Sequence, residues 1–236
     1  MIIKADSYFR YPPLNLNPKQ VIVFNGIRYS IDIVEIAYER LCKNLYDFVY
    51  SENKPSFPVI FSECWTIINS ATIFINLSIR HFKIDKENSI WDGIREIKEL
   101  RNTNQHLDER INEVLLENNL PIYGALSWYS QEHLDAKEGV ITTIISGSFT
   151  GDTNHIVLNP AGKKLKNTIS GIEFSTTART KNGFEIIKVD LEKIINQIKH
   201  VVNYFDNQLV PQLIDVDITD RYKGDLVISM YVNKLI

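Results

Sequence analysis

Arg101-Asn102-Thr103-Asn104-Gln105-His106 brings a guanidinium, a side-chain amide and an imidazole into one short stretch of the chain. An arginine fork grips a phosphate through paired N–H donors. An imidazole passes a proton near neutral pH. Working together, they could break a phosphodiester without a metal ion. That chemistry needs an element that holds Arg101, Asn102 and His106 in register. The flanking apolar pattern (Ile90, Ile94, Ile97, Leu100, Leu107, Ile111, Leu115) predicts a helix from Ser89 to about Leu116. At roughly 100° per residue, Leu100, Leu107 and Ile111 share one side. His106 falls nearly opposite, with Asn102 one turn before it, Glu109 nearby and Arg101 at the border of the two faces. Trp91 points off the main stripe, which predicts a second contact surface against another helix or a second subunit.

The elements around this helix follow from the same reading. Asn25-Gly26 between two apolar runs predicts a tight hairpin over residues 20–29. A first long helix should start near Ser30, with Val34, Ala37, Leu41, Leu45 and Phe48 as its stripe, and end at Lys54-Pro55-Ser56. A second runs from Phe57 to Phe82. It is apolar almost all round and should be the most buried helix; its Glu63, Asn69, Ser70, Asn76 and Arg80 argue against a membrane span. Past Leu120-Pro121 the pattern turns to β-type runs at 123–129, 140–149, 155–158, 169–177 and 184–189, punctuated by Gly, Asn and Pro. Asp190 then caps a fourth helix with Leu191, Ile194, Ile195, Ile198, Val201, Val202 and Phe205 as its buried side, and Pro211 ends it. Leu213–Ile218 and Leu226–Tyr231 read as further strands. The expected class is α+β, a single domain. Residues 1–29 form an N-terminal extension with the hairpin, 30–118 and 190–210 a helical bundle, 121–189 an antiparallel β insertion, and 211–236 a β-type tail.

Composition limits the partners. A net charge of -3 over 236 residues argues against bulk electrostatic capture of RNA or DNA, and leaves a small local phosphate site open. Cys42 and Cys64 fit no metal-ligand spacing and read as buried thiols in a reducing compartment. Met1–Pro13 lacks the charged head and apolar run of a secretion signal, so the expected location is cytoplasmic. His81, His133, His155 and His200 form no metal-binding pattern, and no cofactor is expected. Gly147-Ser148-Phe149-Thr150-Gly151-Asp152 precedes no capped helix and reads as a loop rather than a phosphate cradle. Trp128, Tyr129 and Phe149 could stack bases, but interior sheet packing accounts for them better.

Arg101, Asn102 and His106, late in the third of four helices, resemble the signature of the HEPN superfamily: an arginine, a polar residue after it, and a histidine a few positions on. The segment Leu100–Ile111 (LRNTNQHLDERI) also resembles a bacterial subgroup in which an Asp-Glu-Arg run follows the histidine. The resemblance covers about residues 30–118 and 190–210. It implies an up-and-down four-helix bundle and a homodimer through helix 3, with two Arg/His sets in one cleft. It also implies metal-independent endoribonuclease activity in a toxin–antitoxin or phage-defence setting, with an antitoxin or defence protein as partner. In that reading His106 is the general acid or base, Arg101 stabilises charge on the phosphate, and Asn102 orients the histidine or bonds the phosphate. Some members carry a tyrosine two residues after the histidine; here Asp108 stands there, which puts that mode of control in doubt. Asp108 and Glu109 also bring negative charge beside the phosphate site, only partly offset by Lys98 and Arg110.

Each residue has a purely structural alternative. Arg101 could pair with Glu99, Asp108 or an acid on a neighbouring helix. His106 could be solvated or packed at a dimer seam, and Asn102 could be ordinary polar surface. The same features then describe a non-catalytic HEPN-like binding or scaffolding protein.

Overall fold

The computed structural model describes residues 1–109, 123–147, 167–180, 182–212 and 224–229. Asn17 starts the first long element. Its side chain accepts a hydrogen bond from the Gln20 N–H, and the Gln20 side chain accepts one from the Asn17 N–H. With Pro18 in the first turn this reciprocal cap launches α1, Pro18–Tyr50.

The hairpin expected over 20–29 is therefore corrected: Asn25 and Gly26 lie inside α1, which begins at Pro18 rather than near Ser30. Val23, Phe24, Ile27, Ile31 and Val34 are buried along one helical face, and that burial outweighs the local turn preference of Asn-Gly. Gly26 serves close approach instead. A Cβ there would meet Leu77 Cδ1 at 2.9 Å, so the missing side chain lets the next helix in. Ser30, expected as a cap, turns its hydroxyl back onto the Gly26 carbonyl at 2.7 Å. Ahead of α1, the irregular N-terminal segment buries Ile2, Ile3 and Phe9 against the core.

α2 spans Phe57–Phe82 and stops at Lys83, which takes the left-handed conformation that commonly closes a helix. Gly26 beside Leu77, and Arg40 bonded to Glu63 at 3.0 Å, set α1 and α2 antiparallel, with equal steps forward on one and back on the other. By length and composition α2 could cross a membrane, yet 56% of its most apolar window is buried inside the fold. Ile60, Cys64, Ile67, Ile68, Ala71 and Phe74 are the buried face, each worth up to roughly 1.5–3 kcal/mol for the larger side chains.

The third helical stretch is broken, not continuous from Ser89 to Leu116. One 3-10 turn, Ser89–Trp91, is followed by Gly93 at φ 83, and α3 proper spans Ile97–Gln105. His106 leaves helical geometry (φ -114, ψ 31), and helix resumes over 107–109. The expected end near Leu116 lies outside the described residues. Trp91 finds the second contact surface expected of it on other helices of the same chain. It faces inward, fully buried, its ring edge-on to Phe74 and Phe205 and its Nε1 donating to the Asp85 carbonyl at 3.2 Å. It is carried by the 3-10 turn rather than by the continuous helix that was expected.

Four strands follow: β1 Ala125–Ser130, β2 Val140–Ile145, β3 Ile169–Thr180 and β4 Gly183–Asp190. They form one antiparallel sheet in the order β2-β1-β3-β4, with Leu126 opposite Phe174 and Thr176 opposite Ile187. The expected strand at 155–158 lies outside the described residues. α4, Leu191–Leu209, is capped by Asp190, whose side chain accepts from the Lys193 N–H at 3.0 Å. A 3-10 turn, Val210–Gln212, ends it at Pro211 as expected. The tail was expected to add strands; its described part, 224–229, has no ladder partner among the described residues, and Leu213–Ile218 lies outside them.

The chain is thus mixed α+β with one shared core. Trp128 of β1 packs edge-on against Phe48 of α1, and Phe174 of β3 packs against Trp65 of α2. Phe205 of α4 joins Phe9, Phe74 and Phe82. The sheet therefore contributes to the same interior as the helices, as the packing expectation for Trp128 required.

Candidate functional site

α3 is held from both sides. Ile97, Leu100 and Thr103 form its buried face. The Thr103 hydroxyl accepts a hydrogen bond from the Arg179 backbone N–H at 3.2 Å, which ties the helix to β3. A buried hydroxyl with a backbone partner fixes both the rotation and the height of α3 on the sheet.

Arg101 and Asn102 are half-buried. The Arg101 Nε is buried, and no described residue hydrogen-bonds it. His106 stands at the helix end, its backbone N–H donating to the Asn102 carbonyl at 3.3 Å. Its side chain is 51% exposed. Five residues of α-helix separate Arg101 from His106 by about 140° around the axis and about 7.5 Å along it. One chain therefore places these two groups on the same short segment but on different sides of it. Asn102 is linked to His106 through the backbone cap rather than through its side chain.

Among the described residues, the imidazole pairs with Glu109. His106 Nδ1 lies 3.3 Å from Glu109 Oε2, one turn on. A carboxylate beside that nitrogen can accept a hydrogen bond from Nδ1–H, which orients the ring and leaves Nε2 for another partner. The sequence places Glu109 near His106, where it counts as charge unfavourable to a phosphate. The turn at His106 converts it into a neighbour that orients the ring, and the signal for it was the i,i+3 spacing. Arg179 was not anticipated at all. β3 brings the Arg179 backbone to α3 from far along the chain, which no local pattern could reveal, and its side chain is exposed.

The other candidates are not brought here. The His81, His133 and His200 side chains stand outside any group of three or more metal-ligating residues among the described positions. His155, Phe149 and the loop 148–152 lie outside the described residues. Tyr129 is half-buried on β1. An open cleft of about 390 Å³ lies between α1 and the start of β3, lined by Tyr38, Cys42, Tyr46 and Ile169 among others. Ile169 is ten residues along β3 from Arg179, about 33 Å of extended strand, so α3 takes no part in it. Burial pushes the Cys42 thiol up to about 11 and the Cys64 thiol further up, so neither is a thiolate nucleophile at neutral pH.

No family model matches the chain, no curated protein matches it, and no solved structure matches its fold.

Proposed function

We propose that the protein is a HEPN-like, metal-independent endoribonuclease whose working site combines α3 segments of two copies. The observation that supports this best is the Glu109–His106 pair at the exposed end of α3, with Arg101 upstream on the same segment. His106 Nε2 takes the proton of a ribose 2'-hydroxyl, or gives one to the leaving 5'-oxygen. The 2'-oxygen bonds to phosphorus as the phosphorus–5'-oxygen bond breaks, giving a 2',3'-cyclic phosphate and a 5'-hydroxyl. No redox partner is needed. Arg101 stabilises the charge that builds on the phosphate oxygens, and Asn102 lies one turn before His106. The angular separation of Arg101 from His106 is the reason a second copy is required: a phosphate between two α3 segments meets the arginine of one and the histidine of the other.

The test is purified protein with labelled RNA and a chelator, beside His106→Ala and Arg101→Ala. The wild type should cleave RNA and leave DNA intact, with His106→Ala slower by about 10²–10⁴-fold. No cleavage by the wild type, or equal cleavage by all three, removes the assignment.

A second reading has its own support. Asp108 and Glu109 are exposed beside His106, and the chain is net negative, which suits a binding or scaffolding protein that does not hold RNA. RNA-independent capture of a defined protein partner, together with an inert wild type, favours it.

A further inference from the structure

α1 presents an apolar stripe to solvent. Ile22, Tyr29, Ile33 and Ile36 are 70%, 49%, 40% and 50% exposed. At helical spacing they fall within an arc of about 60° along one side of α1. The antiparallel register places Ile73 of α2, itself 43% exposed, one turn from Leu77 and so opposite Ser30, between Tyr29 and Ile33. The C-terminal segment adds to this surface. Asp225 accepts hydrogen bonds from the Tyr29 hydroxyl at 2.6 Å and from Arg28 Nη2 at 2.5 Å, and the next three residues, Leu226, Val227 and Ile228, are 83%, 85% and 77% exposed.

A surface helix of a monomer ordinarily places charge where these isoleucines stand. Here every charged side chain of α1 from Ile22 to Ile36 already has a partner in its own chain. Arg28 bonds Asp225, Asp32 takes a two-pronged pair from Arg10, and Glu35 accepts from the Ile2 N–H at 3.0 Å. Covering the stripe would strand no lone charge, which is the usual cost of burying a helix face. The seven-residue spacing of Ile22, Tyr29 and Ile36, with Ile33 beside them, is that of a helix–helix seam. α1 is about 50 Å long, enough for such a seam. The exposed parts of these eight side chains amount to on the order of 800 Å² per copy, the per-partner size of a standard protein interface.

We propose that this face, α1 with Ile73 and the Leu226–Ile228 segment, is a self-association surface that pairs with the same face of a second copy across a twofold axis. An isologous pairing suits it, since one apolar stripe is its own complement. The surface is distinct from α3, so a dimer formed here stands or falls separately from RNA cleavage.

Sedimentation velocity and light scattering at micromolar concentration test it, on the full chain and on Ile33→Glu. The wild type should associate through this face from low to molar salt, because the interface is apolar, and Ile33→Glu should halve the assembly: tetramer to dimer where α3 also pairs, dimer to monomer where it does not. Ile33→Glu should raise the dimer Kd by on the order of a hundredfold, as expected when a central apolar anchor is replaced by a charge, with an unchanged circular dichroism spectrum. Should that variant lose helical signal, the milder pair Ile22→Ser with Ile36→Ser carries the same test, since both positions face solvent in the single chain. A monomeric wild type overturns the proposal, and one that floats with lipid vesicles assigns the stripe to a membrane surface instead. A dimer that ignores these substitutions overturns it too, by placing the interface elsewhere.

Discussion

Ser7 Oγ donates a 2.7 Å hydrogen bond to Asp206 Oδ1, joining the N-terminal segment to the last turn of α4 across nearly the whole chain. The same hydroxyl accepts from the Phe9 N–H, so Ser7 orients the turn that delivers Phe9 to the core. The other Asp206 oxygen is buried with no hydrogen-bond partner among the described residues.

That geometry predicts a pH slope. Burial raises the Asp206 carboxyl above its ordinary value, and the Ser7 bond and Lys4 offset this only in part. The folded state therefore holds the proton at a pH where the unfolded state has released it. Stability falls as pH rises from the ordinary aspartate value through the raised one, and the cost persists above it. Asp206→Asn keeps an acceptor for Ser7 and removes the buried charge. Its Tm at pH 7 should equal or exceed the wild type's, with a smaller change from acid to neutral pH. Thermal melts across that range check it, and a variant melting well below the wild type at pH 7 would contradict it.

Thr103→Ala should leave the Arg179 N–H without its partner and destabilise the fold by about 1–3 kcal/mol. Thr103→Ser, which restores the hydroxyl, should recover most of the loss. Urea titrations of the three proteins decide the matter. Equal midpoints would mean that the bond does not hold α3 to β3.

Gly124 precedes β1 at φ 113, a conformation that L side chains rarely adopt, and a Cβ there would overlap the Phe174 ring. Phe174 cannot withdraw easily, because it packs edge-on against Trp65 at 5.2 Å and also against Phe61. Gly124→Ala should therefore cost about 2 kcal/mol or more, combining backbone strain with overpacking. Chemical denaturation measures it, and a neutral substitution would show that the ring has room to move.

Glu109→Ala tests the orientation of the imidazole. If His106 works as the acid or base, the loss of its carboxylate neighbour should lower kcat on RNA by about tenfold to a hundredfold with little change in KM. Glu109 is 72% exposed, so the melting temperature should stay within a degree or two, as surface substitutions usually do. Wild-type kcat in Glu109→Ala would show the pair to be incidental.

Local chemistry made much of the fold legible. The caps at Asp190 and the stripe from Leu191 to Phe205 announced α4, and the apolar run bounded by Pro58 and Phe82 announced α2. The β-type runs at 140–149, 169–177 and 184–189 overlap β2, β3 and β4, the first overshooting its strand and the other two falling short. Such signals lie within a turn or a strand, where periodicity and capping act. Asn25-Gly26 misled because the pair is ambiguous taken alone. Only Leu77, across on α2, gives Gly26 its reason to be a glycine.

The sequence by itself determined that Arg101, Asn102, His106 and Glu109 share one short segment, because neighbours along a helix stay neighbours in space. It also determined that this segment is amphipathic enough to pack. The tertiary structure alone decided that His106 ends a helix rather than lying on one, that Trp91 turns inward, and that β3 carries Arg179 to Thr103. The physical reason is the range of the forces involved. Dihedral preference and side-chain spacing act over a few residues. Which face is covered, and by what, depends on packing between positions tens of residues apart, which forms only when the core closes.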